Sequence, residues 1–308
     1  MKALQLLNYG QALVVEEAAK PVPTADEVLV EVSAVSVNPF DYKLAGGVYE
    51  QYIPLSLPAT LGGDVSGVVV EVGQDAKGFE VGQEVYGLAN AAGGQGSFAE
   101  FVSVNAEKLS AKPSSIDFSI AAALPLAAVS AYQALADHIN LQPGQKILIH
   151  GGSGGIGSLA IQIAKDLGAY IATTVSSDNI DYVKSLGADE VIDYKTQDFT
   201  QIVKDYDAVF DNVGGETNQK SYLVLKQGGK LVSMVDGPDE GLVTKYSVEY
   251  TQQSTVVNQE RLSKITELVD AGKLKINIDK SFKFDEAAQA FEYATNGHPR
   301  GKVVIQVK

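Results

Sequence analysis

The chain has no cysteine and only three histidines, His138, His150 and His298, among its 308 residues. Absent thiols exclude disulfides, thiolate catalysis and cysteine-ligated zinc, and the three imidazoles are too far apart in sequence to show metal-site spacing. Arginine is almost missing: Arg261 and Arg300 are the only two. With 24 basic against 38 acidic side chains, the formal net charge is −14. Such a balance opposes binding to nucleic acid or to an anionic membrane surface and reads as a solvated acidic exterior. No apolar run reaches the roughly 18 residues that a membrane-spanning helix needs. The opening MKALQLLNYG has one lysine and a polar break where a secretory peptide would continue apolar, so a cytoplasmic address is expected.

What the chain does have is a strand, a glycine turn and a helix in the order that binds a dinucleotide. Ile147, Leu148 and Ile149 form a short apolar run, and Gly152, Gly154 and Gly157 follow in G-x-G-x-x-G register. The first glycine allows a tight turn, the second admits a pyrophosphate and the third lets helix pack on strand. Gly155 is an extra glycine. With Ser153 and Ile156 it completes the expected cofactor turn, and a helix over Ile156–Leu167 would aim its positive end at the phosphates. An NAD site usually carries an acid at the end of the second strand, about 20 residues on. Ser176 and Ser177 stand there instead, which favours NADPH, although Asp178 is close and both arginines are distant. A 2′-phosphate would then rely on these serines, backbone N–H groups, Tyr194 and a lysine such as Lys195; the alternative for Tyr194 is a loop ring packed on the sheet. Asn212, Val213, Gly214, Met234 and Val235 follow later strands, and ligands of open α/β sheets bind at strand carboxyl ends. His150 also ends a strand, where packing is the plainer reading.

Around this motif the pattern divides. Before it, β-branched or alternating runs at Ala3–Leu7, Val28–Val37, Val65–Val72 and Phe98–Val104 are separated by Pro, Gly and Asp clusters. After about residue 145, strands are expected at Lys146–His150, Tyr170–Val175, Glu190–Ile192, Ala208–Asn212, Lys230–Val235 and Ser254–Val257, with helices between them. That rhythm signifies a doubly wound parallel sheet. An alanine-rich helical stretch, Asp117–His138, should break at Pro125 and form the connection. The closing strand Lys302–Val307 could pair back into the N-terminal region.

Several longer segments then point one way: Asn38-Pro39-Phe40-Asp41, Leu57–Gly73, Gly96–Phe101, Ala121–Leu135, Ser185–Tyr194 and Gly301-Lys302-Val303-Val304. In this order they resemble the medium-chain dehydrogenase/reductase superfamily, most closely its zinc-free quinone and enone oxidoreductase branch, which includes the zeta-crystallins. The resemblance implies an α/β protein: a GroES-like β domain from residues 1–122 and 268–308, and an NADP(H)-binding Rossmann domain from 123–267. Where zinc relatives carry Gly-His-Glu, this chain has Gly62-Gly63-Asp64, so no metal is expected. The implied activity is zinc-independent hydride transfer from NADPH to quinones or α,β-unsaturated carbonyls. Enoyl-thioester reduction is the alternative, and a low-turnover NADPH-binding sensor or crystallin-like protein, or an RNA binder, is the alternative of another class. By the same resemblance Tyr49, eleven residues after Asn38, is the candidate proton or hydrogen-bond donor, against simple lining of an apolar cleft with Tyr42 and Tyr52. Asn38 is the candidate pocket amide, against a turn-forming Asn before Pro. Lys43 is read as a solvated helix lysine. Ser130 is implied beside the nicotinamide, and Arg300 or Lys302 over the nicotinamide or a phosphate, against a surface salt bridge. The family habit further implies a homodimer, with Ser254–Val257 as its edge strand.

Overall fold

The computed structural model describes residues 1–308, which form two compact units. Unit 1 takes Met1–Leu126, Val257–Ala271 and Ile276–Lys308; unit 2 takes Ala127–Val256 and Gly272–Lys275.

Unit 1 is mainly β. Its first stretch contributes β1 (Lys2–Leu6), β2 (Val14–Glu17), β3 (Glu27–Val37), helix α1 (Pro39–Ala45), β4 (Ala59–Thr60), β5 (Asp64–Val72), β6 (Glu84–Leu88), β7 (Phe101–Asn105), β8 (Leu109–Ala111) and α2 (Phe118–Ala122). The alternation of β3 and β5 turns Val28, Val30, Val32, Val65 and Val69 into one core with Leu4 and Leu6 of β1. Pro125 ends α2 as its missing N–H requires and opens the next helix, α3 (Pro125–Tyr132), at the first position, where that loss is harmless.

Unit 2 alternates strand and helix: β9 (Lys146–His150), α4 (Gly155–Asp166), β10 (Tyr170–Val175), α5 (Ile180–Leu186), β11 (Glu190–Asp193), β12 (Tyr206–Asp211), α6 (Glu216–Ser221), β13 (Leu225–Ser233), α7 (Glu240–Tyr246) and β14 (Glu249–Gln252). All its pairings are parallel, in the order β11-β10-β9-β12-β13-β14. That is the Rossmann order, with the strand direction of growth reversing between β9 and β12. The near-continuous apolar strands, such as Ile147–Ile149 and Ala208–Phe210, follow from burial on both faces.

The chain then returns to unit 1 with α8 (Gln259–Asp270), β15 (Ile278–Lys283), α9 (Ala287–Asn296) and β16 (Lys302–Gln306). The large sheet runs β15-β16-β3-β5-β6-β8, with β7 also on β3. Thus the closing strand does pair back, Val303 to Ile305 lying antiparallel to Val37 to Val35. Two expectations need correction. Residues 254–257 form no strand: the sheet edge is β14, and the backbone at Ser254 and Val256 bonds the Gln133 side chain instead. Helix α8, which the expected boundary at 267 divides, lies whole in unit 1, where the Tyr86 hydroxyl donates to the Leu262 carbonyl at 2.7 Å.

Candidate functional site

The glycine turn sits at the carboxyl end of β9, centrally in the unit 2 sheet. Gly151 carries the positive φ of the bend, +72°. Gly152 and Gly157 are fixed by crowding: a Cβ on the first would strike Thr173 Oγ1, and on the second the Gly151 carbonyl oxygen. At Gly154, by contrast, a Cβ would meet nothing nearer than that carbonyl at 3.5 Å, so the rim of the turn is open. Gly154 is also the N-cap of α4, and no side chain caps the helix. Its first N–H groups, with the helix dipole, suit a pyrophosphate. Ser153, Gly155 and Ile156 line the same half-buried rim. His150 does not reach it. The ring is fully buried, with Nδ1 3.0 Å from Thr174 Oγ1 and Nε2 3.1 Å from Ser221 Oγ, and burial lowers its pKa to about 4.

The parallel register brings three strand ends side by side. His150 pairs with Thr174, and Val175 with Asp193, so Ser176 and Ser177 lie between the glycine turn and Tyr194-Lys195. Tyr194 is 57% exposed, so more than half of its surface is open to solvent. Ser176 Oγ accepts from Asn179 at 3.0 Å, while the Ser177 hydroxyl donates to Asp193 Oδ2 at 2.5 Å. Ser177 is therefore already engaged. Asp193 was not evident from sequence because it ends the third strand, whereas the usual acid ends the second.

On the other side of β9, the Asn212 amide donates to the His150 carbonyl at 3.1 Å, and its Oδ1 is buried without a partner. An unsatisfied buried acceptor at a strand end is an opening for a ligand donor. Asp211, fully buried, holds this region together. Its carboxylate accepts from the N–H groups of Val213 and Gly214 at 2.9 and 3.1 Å, from Asn218 at 2.8 Å and from Ser233 Oγ at 3.2 Å. Ser233 Oγ in turn accepts from the N–H of Val235 at 3.1 Å. One carboxylate thus ties the turns carrying Val213, Gly214, Met234 and Val235. The sequence signal was there, an Asp followed by Asn-Val-Gly-Gly, the pattern of an Asx turn. Ser130 is 0% exposed, its hydroxyl 2.7 Å from Thr255 Oγ1 and its carbonyl bonded by Gln253. Its hydroxyl thus forms a buried link between α3 and the segment after β14.

Unit 1 carries a different cluster. Asp64, at the start of β5, accepts from Ser36 Oγ at 2.6 Å, Asn38 Nδ2 at 2.8 Å and the Leu126 N–H at 2.8 Å, and pairs with Lys302 at 3.3 Å. Lys302 also donates to Asn38 Oδ1 and to the Val37 carbonyl. All three charged or amide groups are buried. The Asn38 amide, expected to hold substrate or nicotinamide, is engaged at both ends by Asp64 and Lys302. Lys302 likewise does not close over a phosphate. Asp41 accepts from the Asn38 N–H at 2.7 Å; burial first, and the nearby Asp64 charge, raise its pKa to about 7 despite Lys302. Tyr49 is different: half-buried, stacked on Phe40 with centroids 5.5 Å apart, it keeps its phenol outside this network. Arg300 lies in unit 1 on the turn before β16, its carbonyl accepting from Asn277 at 2.6 Å. No three His, Cys, Asp or Glu side chains converge as a metal-binding group, and no helix is long and apolar enough to cross a membrane.

Residues 24–114 match the alcohol dehydrogenase GroES-like domain, and residues 186–305 match a family described as zinc-binding dehydrogenase. The chain is 37% identical to 2-methylene-furan-3-one reductase of Solanum lycopersicum, over 99% of this chain and 79% of that one. It is 36% identical to a chloroplastic NADPH-dependent alkenal/one oxidoreductase of Arabidopsis thaliana, with the same coverage. Among solved structures, the quinone oxidoreductase of Coxiella burnetii superposes with a TM-score of 0.92 at 33% identity, covering 100% of this chain and 99% of that one.

Proposed function

This chain belongs to the medium-chain dehydrogenase/reductase superfamily, in its zinc-free quinone and enone oxidoreductase branch, and on that premise we propose that it reduces quinones or α,β-unsaturated carbonyls with NADPH. The observation that carries the proposal is the uncapped start of α4 beneath an open glycine rim at the carboxyl ends of a Rossmann sheet. Bound there, NADPH supplies hydride to an acceptor carbon already activated by conjugation. The α4 N–H groups would hold the pyrophosphate, and Ser176, Tyr194 and Lys195 would take the adenosine ribose. Asn212 Oδ1 and the Asp211-braced turns at Val213, Gly214, Met234 and Val235 would hold the nicotinamide half. Tyr49 would offer its phenol to the substrate's carbonyl oxygen, stabilising the enolate left by hydride addition and donating the proton that follows. Asn38, through Asp64 and Lys302, fixes the start of the helix after which Tyr49 lies.

The deciding experiment follows NADPH oxidation across quinones, short enones, alkenals and enoyl thioesters. Consumption with quinones or enones is expected. NADPH binding without turnover on any of them would instead favour a sensor or crystallin-like role, and turnover confined to thioesters an enoyl reductase. A homodimer and a cytoplasmic address belong to the same proposal. Sedimentation as a monomer would remove the first, and recovery in an organelle fraction the second.

A further inference from the structure

The usual acid at the end of the second Rossmann strand accepts hydrogen bonds from the ribose hydroxyls of NAD and repels a 2′-phosphate. In this protein that place holds Ser176, yet a carboxylate reaches the same edge by another route. Asp193 ends β11 directly beside Val175, the last residue of β10. The Ser177 hydroxyl, just past the end of β10, donates to it at 2.5 Å, while the Lys195 N–H at 3.0 Å and the Thr196 side chain hold it from the turn after its own strand. The Ser177 bond, foremost among its contacts, keeps the carboxyl below the ordinary aspartate range, so it stays charged at neutral pH. Around it stand Ser176, bonded to Asn179, the exposed Tyr194 ring and the exposed Lys195 side chain, whose ammonium acts on Asp193. The edge that would take a 2′-phosphate therefore holds an anion fixed by hydrogen bonds, with Asp178 exposed nearby, and the exposed ammonium of Lys195.

We infer that Asp193 is a cofactor-specificity residue: its carboxylate, presented by Ser177, opposes the 2′-phosphate and accepts a 2′-hydroxyl. NADPH preference is then weaker than Ser176 and Ser177 alone would give, and NADH remains usable. The inference rests on the dinucleotide reading above and concerns which form that site prefers.

Calorimetric titration with adenosine 2′,5′-bisphosphate and adenosine 5′-monophosphate tests it, since the two differ only in the 2′-phosphate. D193N keeps the acceptor for the Lys195 N–H and removes the charge. It should tighten the bisphosphate about tenfold, as expected for one unit charge removed a few ångströms from the phosphate near the surface. The monophosphate should change by less than about twofold. D193S removes the charge with a different side chain and is read in the same way, with the melting temperature confirming the fold of each variant. Weaker bisphosphate binding would mean that Asp193 only scaffolds Ser177 and Lys195, and an equal or absent change for the two ligands would mean that its charge is not felt; either overturns the inference. If the wild-type protein binds neither nucleotide, the dinucleotide reading falls and takes the inference with it. If it binds both and only the variant shift is missing, that reading stands and the inference alone is lost.

Discussion

Tyr49 and Asn38 come from the same short stretch of sequence, yet their surroundings assign them different work. Asn38 is held at both ends of its amide by Asp64 and Lys302, so changes there act through the position of α1. Tyr49 leans on Phe40 and keeps its phenol for other partners. Tyr49→Phe should lower enone turnover by about 100-fold, within the usual contribution of a positioned acid, while NADPH affinity stays within about twofold. Stopped-flow turnover beside a fluorescence titration of NADPH separates the two quantities, and unchanged enone reduction would remove the proton-donor role. The motif spacing made Tyr49 and the glycines legible in the sequence. It could not reveal that the Ser130 and Asn38 side chains are internal, because burial of a small polar group depends on partners such as Thr255 and Lys302, far away along the chain.

At the scale of the element, the turn between β9 and α4 is built with almost no slack. Gly157 lets the first turn of α4 lie against Gly151 and Gly152, and a methyl group there has only backbone to push against. Gly157→Ala should cost about 1–3 kcal/mol of stability, the range for an overpacked site, and should weaken NADPH binding because the α4 amides shift. Chemical denaturation gives the first number and calorimetry the second; an unchanged affinity in a destabilised variant would detach the helix from phosphate binding. Elements with strong periodicity were legible: β3, β5, β9, β10 and α4 fall within a residue or so of where the pattern puts them. Polar or short strands were not. The solvent-facing sequence Glu249–Gln252 forms the edge strand β14, while the more β-branched 254–257 is drawn away by the Gln133 side chain. Local propensity yields there to a side-chain competitor for the backbone.

Across the whole molecule, two buried titrating groups respond to acid in opposite directions. Asp41 in unit 1 has a folded pKa of about 7 against 3.8 for the free group, with Asp64 and Lys302 the charges that face it. The folded state binds its proton first, so the stability it contributes is present at low pH and lost as pH rises from about 4 to 7. His150 in unit 2 has its pKa lowered from 6.5 to about 4, so its contribution is present above 6.5 and lost as pH falls toward 4. Each slope is about 1.4 kcal/mol per pH unit at most. Acidifying from neutral pH should therefore raise protection of amides in β3, β5 and β16 and reduce it in β9, β10 and β12, read by hydrogen exchange corrected for intrinsic rates. Asp41→Asn should abolish the first trend alone; both units moving together would contradict the assignment. Unit composition itself was only partly legible, since α8 joins unit 1 through contacts far apart along the chain, among them Tyr86 to the Leu262 carbonyl and Ser115 to Asp270.

Unit 1 is interrupted by unit 2 and closed by β16, and this order has a bearing on synthesis. A ribosome delivers all of residues 127–256 before the strand that completes the large sheet. Until then β3 presents unpaired backbone at Ala34–Val37, and Asp64 lacks the ammonium of Lys302. Unit 2, which is nearly continuous, can fold on the nascent chain while the earlier half of unit 1 waits as an incomplete sheet. The edge of β3 is then the surface on which a holding chaperone would act, and slow translation through unit 2 would lengthen its exposure.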